Sequence, residues 1–208
     1  MNRPHLFHIV INFCFALFLI GCSSHDVNLK SGDIVFVSSD ASGLAGAIND
    51  VTNESGQLDF VHMALVEMDG HDTFMIHADT DRGVSREPIS TFRNRYPYTM
   101  VYRISQLSDV QTSNAIGVAK SHLGKDYNFT YYNTDSSLYC SQLIHLAFEA
   151  DSIFRLNPMT FKNSQSDSFN AFWVSYYDSL GVDIPEGMLG CNPNHMSTNA
   201  RLRSIGPL

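Results

Sequence analysis

Two histidines and one cysteine stand out in this sequence for what their side chains could do together. His62 and His77 flank Asp69-Gly70, and Cys140 opens an apolar stripe with helical spacing. An Asp-Gly pair between apolar runs is a strong short hairpin signal. With Asp69-Gly70 as the two central residues of a type I′ turn, His62 faces His77 across the ribbon, their Cβ atoms about 4.5–5.5 Å apart. A four-residue loop would make them diagonal neighbours on the same face, because strand side chains alternate with period two. An odd-length loop would separate them. Two imidazoles on one face let one ring hold the tautomer and orientation of the other, which a general base needs.

Cys140 supplies a group for such a base to activate. Cys140, Leu143, Ile144 and Ala147 recur at i, i+3, i+4 and i+7, which predicts a helix over 139–150, capped by Ser136 or Ser137. In the first turn of that helix, free N–H groups and the positive end of the macrodipole favour thiolate. A nearby imidazole would complete an ion pair, and the same N–H groups stand where an oxyanion would form. Each residue also has a plain structural reading, the cysteine as a small core hydrophobe and the histidines as buried hydrogen-bonding groups. Zinc could use the same three side chains, but no HExxH or paired CxxC spacing occurs. A Cys140–Cys191 disulfide would abolish the nucleophile, and a serine hydrolase would need a GxSxG or SxxK motif that is missing. Asp33 after Gly32 reads as a turn residue, and His71 as an exposed turn residue.

The elements that must position these groups follow from periodicity and punctuation. Residues 34–37, 60–68, 73–78 and 98–104 read as strands, and 42–51 as a short helix. Ser108 and Gln111 form a capping box for a helix running to Gly124. Phe169, Phe172, Trp173, Tyr176, Tyr177 and Leu180 give a further helical stripe ending at Gly181, read as core packing ahead of a groove wall for sugar or acyl chains. The pattern is α+β: one domain, an antiparallel sheet packed against helices, with Cys140 at a helix N-terminus.

The 208 residues carry 13 Lys plus Arg against 21 Asp plus Glu, a formal charge of −8, so no basic field exists to follow a nucleic acid. Aromatics at 12% suffice for a core without disulfide support. Residues 6–20, after Arg3, form an apolar run that fits a signal-peptide h-region and falls short of the about 20 residues a spanning helix needs. It ends in Leu19-Ile20-Gly21-Cys22, which resembles a bacterial lipobox, so Cys22 is the expected lipid attachment site. An uncleaved anchor or an ordinary signal peptide would use the same run. The expected organisation is a signal peptide over 1–21, a lipidated tether over 22–30 and a hydrolase domain over 31–208. The expected location is the cell envelope, on the periplasmic side of the outer membrane in a Gram-negative cell.

The segments Val61-His62-Met63-Ala64-Leu65-Val66 and Phe74-Met75-Ile76-His77-Ala78 resemble the histidine hairpin of the NlpC-type papain-like cysteine hydrolases in their circularly permuted branch, the YiiX/YaeF-like proteins. Gly124-Lys125-Asp126-Tyr127-Asn128-Phe129 followed by Tyr139-Cys140-Ser141-Gln142 resembles the family's nucleophile region. Leu29-Lys30-Ser31-Gly32-Asp33-Ile34 and Asn192-Pro193-Asn194-His195-Met196-Ser197 are similar to its opening and closing motifs, and the order His62, His77, Cys140 is the permuted one. The resemblance implies a permuted papain-like fold with Cys140 as nucleophile, His62 as base, His77 as the orienting third residue, and Tyr127 near the oxyanion or substrate. Many permuted members have Glu at the position of His77. Asn128 and Gln142 stand where the family often has Asp and Glu, removing charge near the site.

These readings converge on a cysteine amidase or peptidase of the envelope, without cofactor or metal, cleaving amide bonds in peptidoglycan stem peptides through a Cys140-His62-His77 triad. It is expected to be a monomer, attached to the membrane through its lipid. A lipid or ester acyl hydrolase or acyltransferase is the nearest alternative, and a catalytically silent envelope-binding lipoprotein comes from a different class.

Overall fold

Apolar runs rich in β-branched residues, punctuated by glycine turns, produce a sheet whose two faces are covered unequally. The computed structural model describes residues 27–38, 43–52, 59–163 and 166–208. The signal-peptide and Cys22 expectations lie outside the described residues. In chain order the elements are β1 (Ile34–Ser38), α1 (Gly43–Thr52), β2 (Phe60–Asp69), β3 (Asp72–Asp79), β4 (Gly83–Pro88), α2 (Ile89–Arg95), β5 (Thr99–Ile104) and α3 (Asp109–Ser121). There follow β6 (Asp126–Tyr127), β7 (Ser137–Leu138), α4 (Cys140–Ala147), β8 (Asn157–Pro158), α5 (Ala171–Leu180), β9 (Leu189–Gly190), α6 (Pro193–Ser197) and β10 (Leu202–Gly206).

Six strands form one antiparallel sheet in the order β10-β5-β1-β2-β3-β4. Alternation sends Phe36, Met63, Leu65 and Ile76 to one face, where they meet Ala115 and Ala119 of α3, Leu143 and Ile144 of α4, and Trp173 and Tyr177 of α5. Val35, Val37, Ala64, Val66 and Met75 point to the other face, covered by Phe92 of α2, Tyr96, and residues from both ends of the described chain, among them Val27 and Ile205. Those ends touch: a Cβ on Gly206 would lie 3.0 Å from Val27 Cγ2.

The hairpin register corrects the expectation. Leu65 pairs with Ile76 and Asp69 with Asp72, so the turn is Gly70-His71 rather than Asp69-Gly70. Gly70, at φ 62°, supplies the left-handed conformation that such a turn requires. Continuing that register sets Ala64 opposite His77 and leaves His62 a diagonal step away. The shift is an even number of residues, so the shared face survives, as period-two alternation dictates. Beside His62 the ladder slips: Val37 pairs with His62 but Ser38 with Phe60, so Val61 is an extra residue on β2. A bulge of this kind bends a strand and redirects the side chains around it.

Local signals account for most helices. Ser108 accepts from the Gln111 N–H while the Gln111 side chain bonds back to the Ser108 N–H, completing the capping box of α3. Asn170 caps α5, and Gly181 ends it at φ 67°. Strand β4 is tied to the segment before Tyr127 by Val84 N–H to Lys125 O at 2.8 Å and Gly124 N–H to Val84 O at 2.9 Å. A Cβ on Gly83 would meet Lys125 O at 2.1 Å, so only glycine fits there. Asp33 closes the expected turn, its N–H donating to Lys30 O at 3.1 Å. It is buried, and its carboxylate accepts both Arg103 Nε and Nη2, at 2.6 and 2.7 Å.

Candidate active site

Cys140 is the first residue of α4 and is 5% exposed. The N-cap is Tyr139, with extended backbone and no side-chain cap, so neither Ser136 nor Ser137 plays the expected part. The first-turn N–H groups are thereby left for the space around the sulfur. The parallel pairing of β6 with β7, Tyr127 against Leu138, brings the segment before the helix next to Tyr127. Behind the helix start, Ser141 Oγ donates to Cys191 O at 2.9 Å and the Cys191 N–H donates to Tyr139 Oη at 3.3 Å, fastening the approach to α6 against α4. Cys140 and Cys191 are both free thiols.

The sulfur meets strand β2 at its bulge. Cys140 Sγ interacts with the backbone N–H of Met63, the peptide directly after His62, and with the N–H groups of Ser141 and of Cys140 itself. His62 Nε2 lies 2.8 Å from His77 Nδ1, and His77 Nε2 lies 3.0 Å from Glu87 Oε1. The Tyr96 ring stacks on His62 at 5.0 Å and 26°, and Phe92 packs edge-on against His77 at 5.3 Å. Tyr96 Oη donates to Asp79 Oδ2 at 2.6 Å, and Arg95 Nη2 to the same oxygen at 2.5 Å.

Burial decides the protonation states. It lowers His62 to about 4, with Asp79 opposing and Arg95 assisting. It lowers His77 to about 2, with the neighbouring His62 adding to the effect. Cys140 is pushed up to about 11 by the same desolvation, although the three N–H groups favour its thiolate. Desolvation therefore works against the expected thiolate–imidazolium pair, favouring the thiol and the neutral ring over the pull of the helix terminus.

Tyr127 and Cys140 line one cavity of about 370 Å³, walled also by Tyr131, Tyr139, Phe161 and Trp173. Burial raises the Tyr127 phenol well above its ordinary value, so it stays protonated, 3.5 Å from Tyr131 Oη. None of the described lining residues is Asp, Glu, Lys or Arg. Trp173 and Tyr177 are buried core residues, as the α5 stripe implied, and Trp173 also forms cavity wall. Asn128 and Gln142 hold a loop: Asn128 Nδ2 donates to Tyr132 O at 2.6 Å, and Gln142 Nε2 donates to Asn133 Oδ1 at 3.0 Å.

The residues that periodicity missed are Glu87, Asp79, Arg95 and Tyr96. Glu87 sits in β4, two residues past Ser85, the partner of His77, and so shares its face. A buried acid at that offset becomes recognisable only once β4 is paired.

Residues 28–206 match the permuted papain-like amidase enzymes, the YaeF/YiiX, C92 family. The chain belongs to this family. A permuted papain-like amidase is a hydrolase, and the six-stranded sheet with its helices is that α+β fold. The solved structure of YiiX from Escherichia coli O157:H7 is similar, with TM-score 0.70 and 22% identity over 86% of this chain and 97% of that one. That protein is described as a metalloprotein. In this YaeF/YiiX relative no group of three or more His, Cys, Asp or Glu side chains among the described residues is arranged to hold a metal ion. No curated protein matches the sequence significantly. Among the described residues no helix is long and apolar enough to cross a membrane.

Proposed function

We propose that this chain is a cysteine amidase in which Cys140 is the nucleophile, His62 the general base and His77 its orienting partner. The observation that carries the reading is the Cys140 sulfur lying against the Met63 N–H, one peptide from His62, in the wall of the cavity. Because thiol and imidazole rest neutral, proton transfer accompanies attack: the Cys140 S–H proton passes to His62 Nδ1 as sulfur adds to the amide carbonyl. First-turn N–H groups of α4 and the Tyr127 hydroxyl are the donors for the oxyanion. Protonated His62 then gives its proton to the leaving amine, and water resolves the thioester. We place the enzyme in the bacterial envelope, tethered through Cys22, with peptidoglycan stem peptides as its amide substrate and no metal or cofactor in the step.

One observation favours a second reading. A cavity whose described lining carries no Asp, Glu, Lys or Arg suits an apolar acyl group better than a charged stem peptide, as in a lipid acyl hydrolase or acyltransferase. Purified wild type and Cys140→Ala incubated with defined muropeptides and with acyl-amide and acyl-ester lipids decide between the two. Cys140-dependent release from muropeptides alone supports the first, release from lipids alone replaces it with the second, and no release from either overturns both.

A further inference from the structure

We propose that Glu87 is a positioning residue that, through His77, fixes which ring nitrogen of His62 carries the proton. The proposal rests on His62 being the base. An ionised carboxylate can only accept hydrogen bonds, so Glu87 Oε1, 3.0 Å from His77 Nε2, requires that nitrogen to bear the hydrogen. Burial keeps the His77 ring neutral, so its Nδ1 has a lone pair. His62 Nε2, 2.8 Å away, must then donate to it. Because His62 is neutral as well, its Nδ1 is left unprotonated, free to take the thiol proton. Two imidazoles alone could bond in either sense. The acceptor-only group at the end of the row selects one.

The surroundings hold Glu87 in place. It is 3% exposed, with Arg82 Nη2 at 3.0 Å from Oε2 and Arg95 Nη1 at 3.6 Å from Oε1. Arg95 is in turn held by Asp79, which also receives the hydroxyl of the Tyr96 that stacks on His62. Glu87, Asp79, Arg82 and Arg95 are thus the charged side chains around the two rings, and Glu87 alone among them bonds to His77.

An isosteric amide reverses the sense. In Glu87→Gln the single carbonyl oxygen faces the positive charge of Arg82, 3.0 Å from Oε2 in the ion pair, and this presents the amide NH2 to His77 Nε2. That nitrogen must now accept, so His77 donates from Nδ1 to His62 Nε2, and the His62 proton moves to Nδ1, the atom needed as base. The test is the imidazole ¹⁵N spectrum of His62 and His77 in full-length protein, assigned with single-histidine variants. Wild type is expected to show both rings protonated at Nε2, and Glu87→Gln both at Nδ1, with kcat reduced by about 10²-fold or more and KM changed less than about threefold. Glu87→Asp, which restores an acceptor-only group, is expected to recover the wild-type tautomers and part of kcat. A wild-type spectrum with His62 protonated at Nδ1 overturns the proposal, and needs no variant to fold. An inverted Glu87→Gln spectrum with unchanged kcat overturns it too. The spectrum reads the tautomer whether or not the protein turns over a substrate. Persistence of turnover in Cys140→Ala would instead refute Cys140 as the nucleophile on its own.

Discussion

The Met63 N–H favours the thiolate of Cys140, so the start of α4 faces strand β2 at the peptide that follows His62. Residues far apart in the chain meet there because α4 packs on the face that Met63 and Leu65 help to build. The extra residue Val61 bends β2 at that point.

Removing the thiol separates chemistry from folding. Cys140→Ala is expected to abolish turnover while costing no more than about 1–2 kcal/mol of stability, since a buried thiol packs as a small hydrophobe. A melting curve beside a hydrolysis assay reads both quantities. Full turnover in the variant would remove Cys140 from the mechanism.

The neutral resting pair makes a kinetic statement. Alkylation of Cys140 by a small thiol-directed probe should rise with pH through the neutral range without levelling off, following a thiol pushed up to about 11. No thiolate absorbance should be visible at pH 7. A plateau of reactivity below pH 7 would reveal an ion pair and contradict it. His62→Ala should lower kcat by about 10²–10⁴-fold, and His77→Ala by less, because water can partly replace an orienting partner.

Two buried neutral imidazoles also tie stability to pH. Folded His62 and His77 hold their protons more weakly than an unfolded histidine does, so the unfolded chain binds more protons below about 6.5. Their contribution is complete above that pH and is lost as pH falls toward about 4 and below, with a slope of up to about 1.4 kcal/mol per pH unit for each ring. Asp79, lowered to about 2, contributes above its ordinary value and loses that contribution only in stronger acid. Denaturant melts between pH 7 and 4.5 should therefore show falling stability in wild type and a shallower fall in His62→Gln. Equal slopes would mean that the rings are not buried neutral.

Gly83→Ala should be strongly destabilising although no catalytic atom changes. The new methyl would collide with Lys125 O at 2.1 Å in a backbone conformation of φ 63°, and the displaced Lys125 leads directly to Tyr127. A loss of about 2–4 kcal/mol in a denaturant melt is expected. A loss under about 0.5 kcal/mol would show that β4 and the Lys125 segment are not in register here.

The strands of the sheet centre and the helices α3, α4 and α5 are readable because their apolar residues repeat with the period of the element; Ser108 opens α3 and Gly181 closes α5 as expected, whereas the cap expected for α4 is absent. Strand β4 is not, since Gly83-Val84-Ser85-Arg86-Glu87-Pro88 buries Gly83, Val84 and Glu87, half-buries Ser85 and Arg86 and exposes Pro88, which fits no period-two pattern. Its identity comes from pairing with β3. The same gap hid Glu87 from the site. His62 and His77 shared a face in any even register, so the misplaced turn did no harm to their association. The desolvation that opposes a Cys140 thiolate is not legible, because helix-end electrostatics can be read from a sequence, whereas the depth of a sulfur beneath the surface cannot.

Val27 lying against Gly206 has a topological corollary. Where two extremities of a fold lie in contact, a short splice could join them and a cut elsewhere could open a new pair, with hardly any interior neighbour exchanged. Reordered genes can thus encode one and the same scaffold. The proposed base and nucleophile could swap their order of synthesis without moving in space.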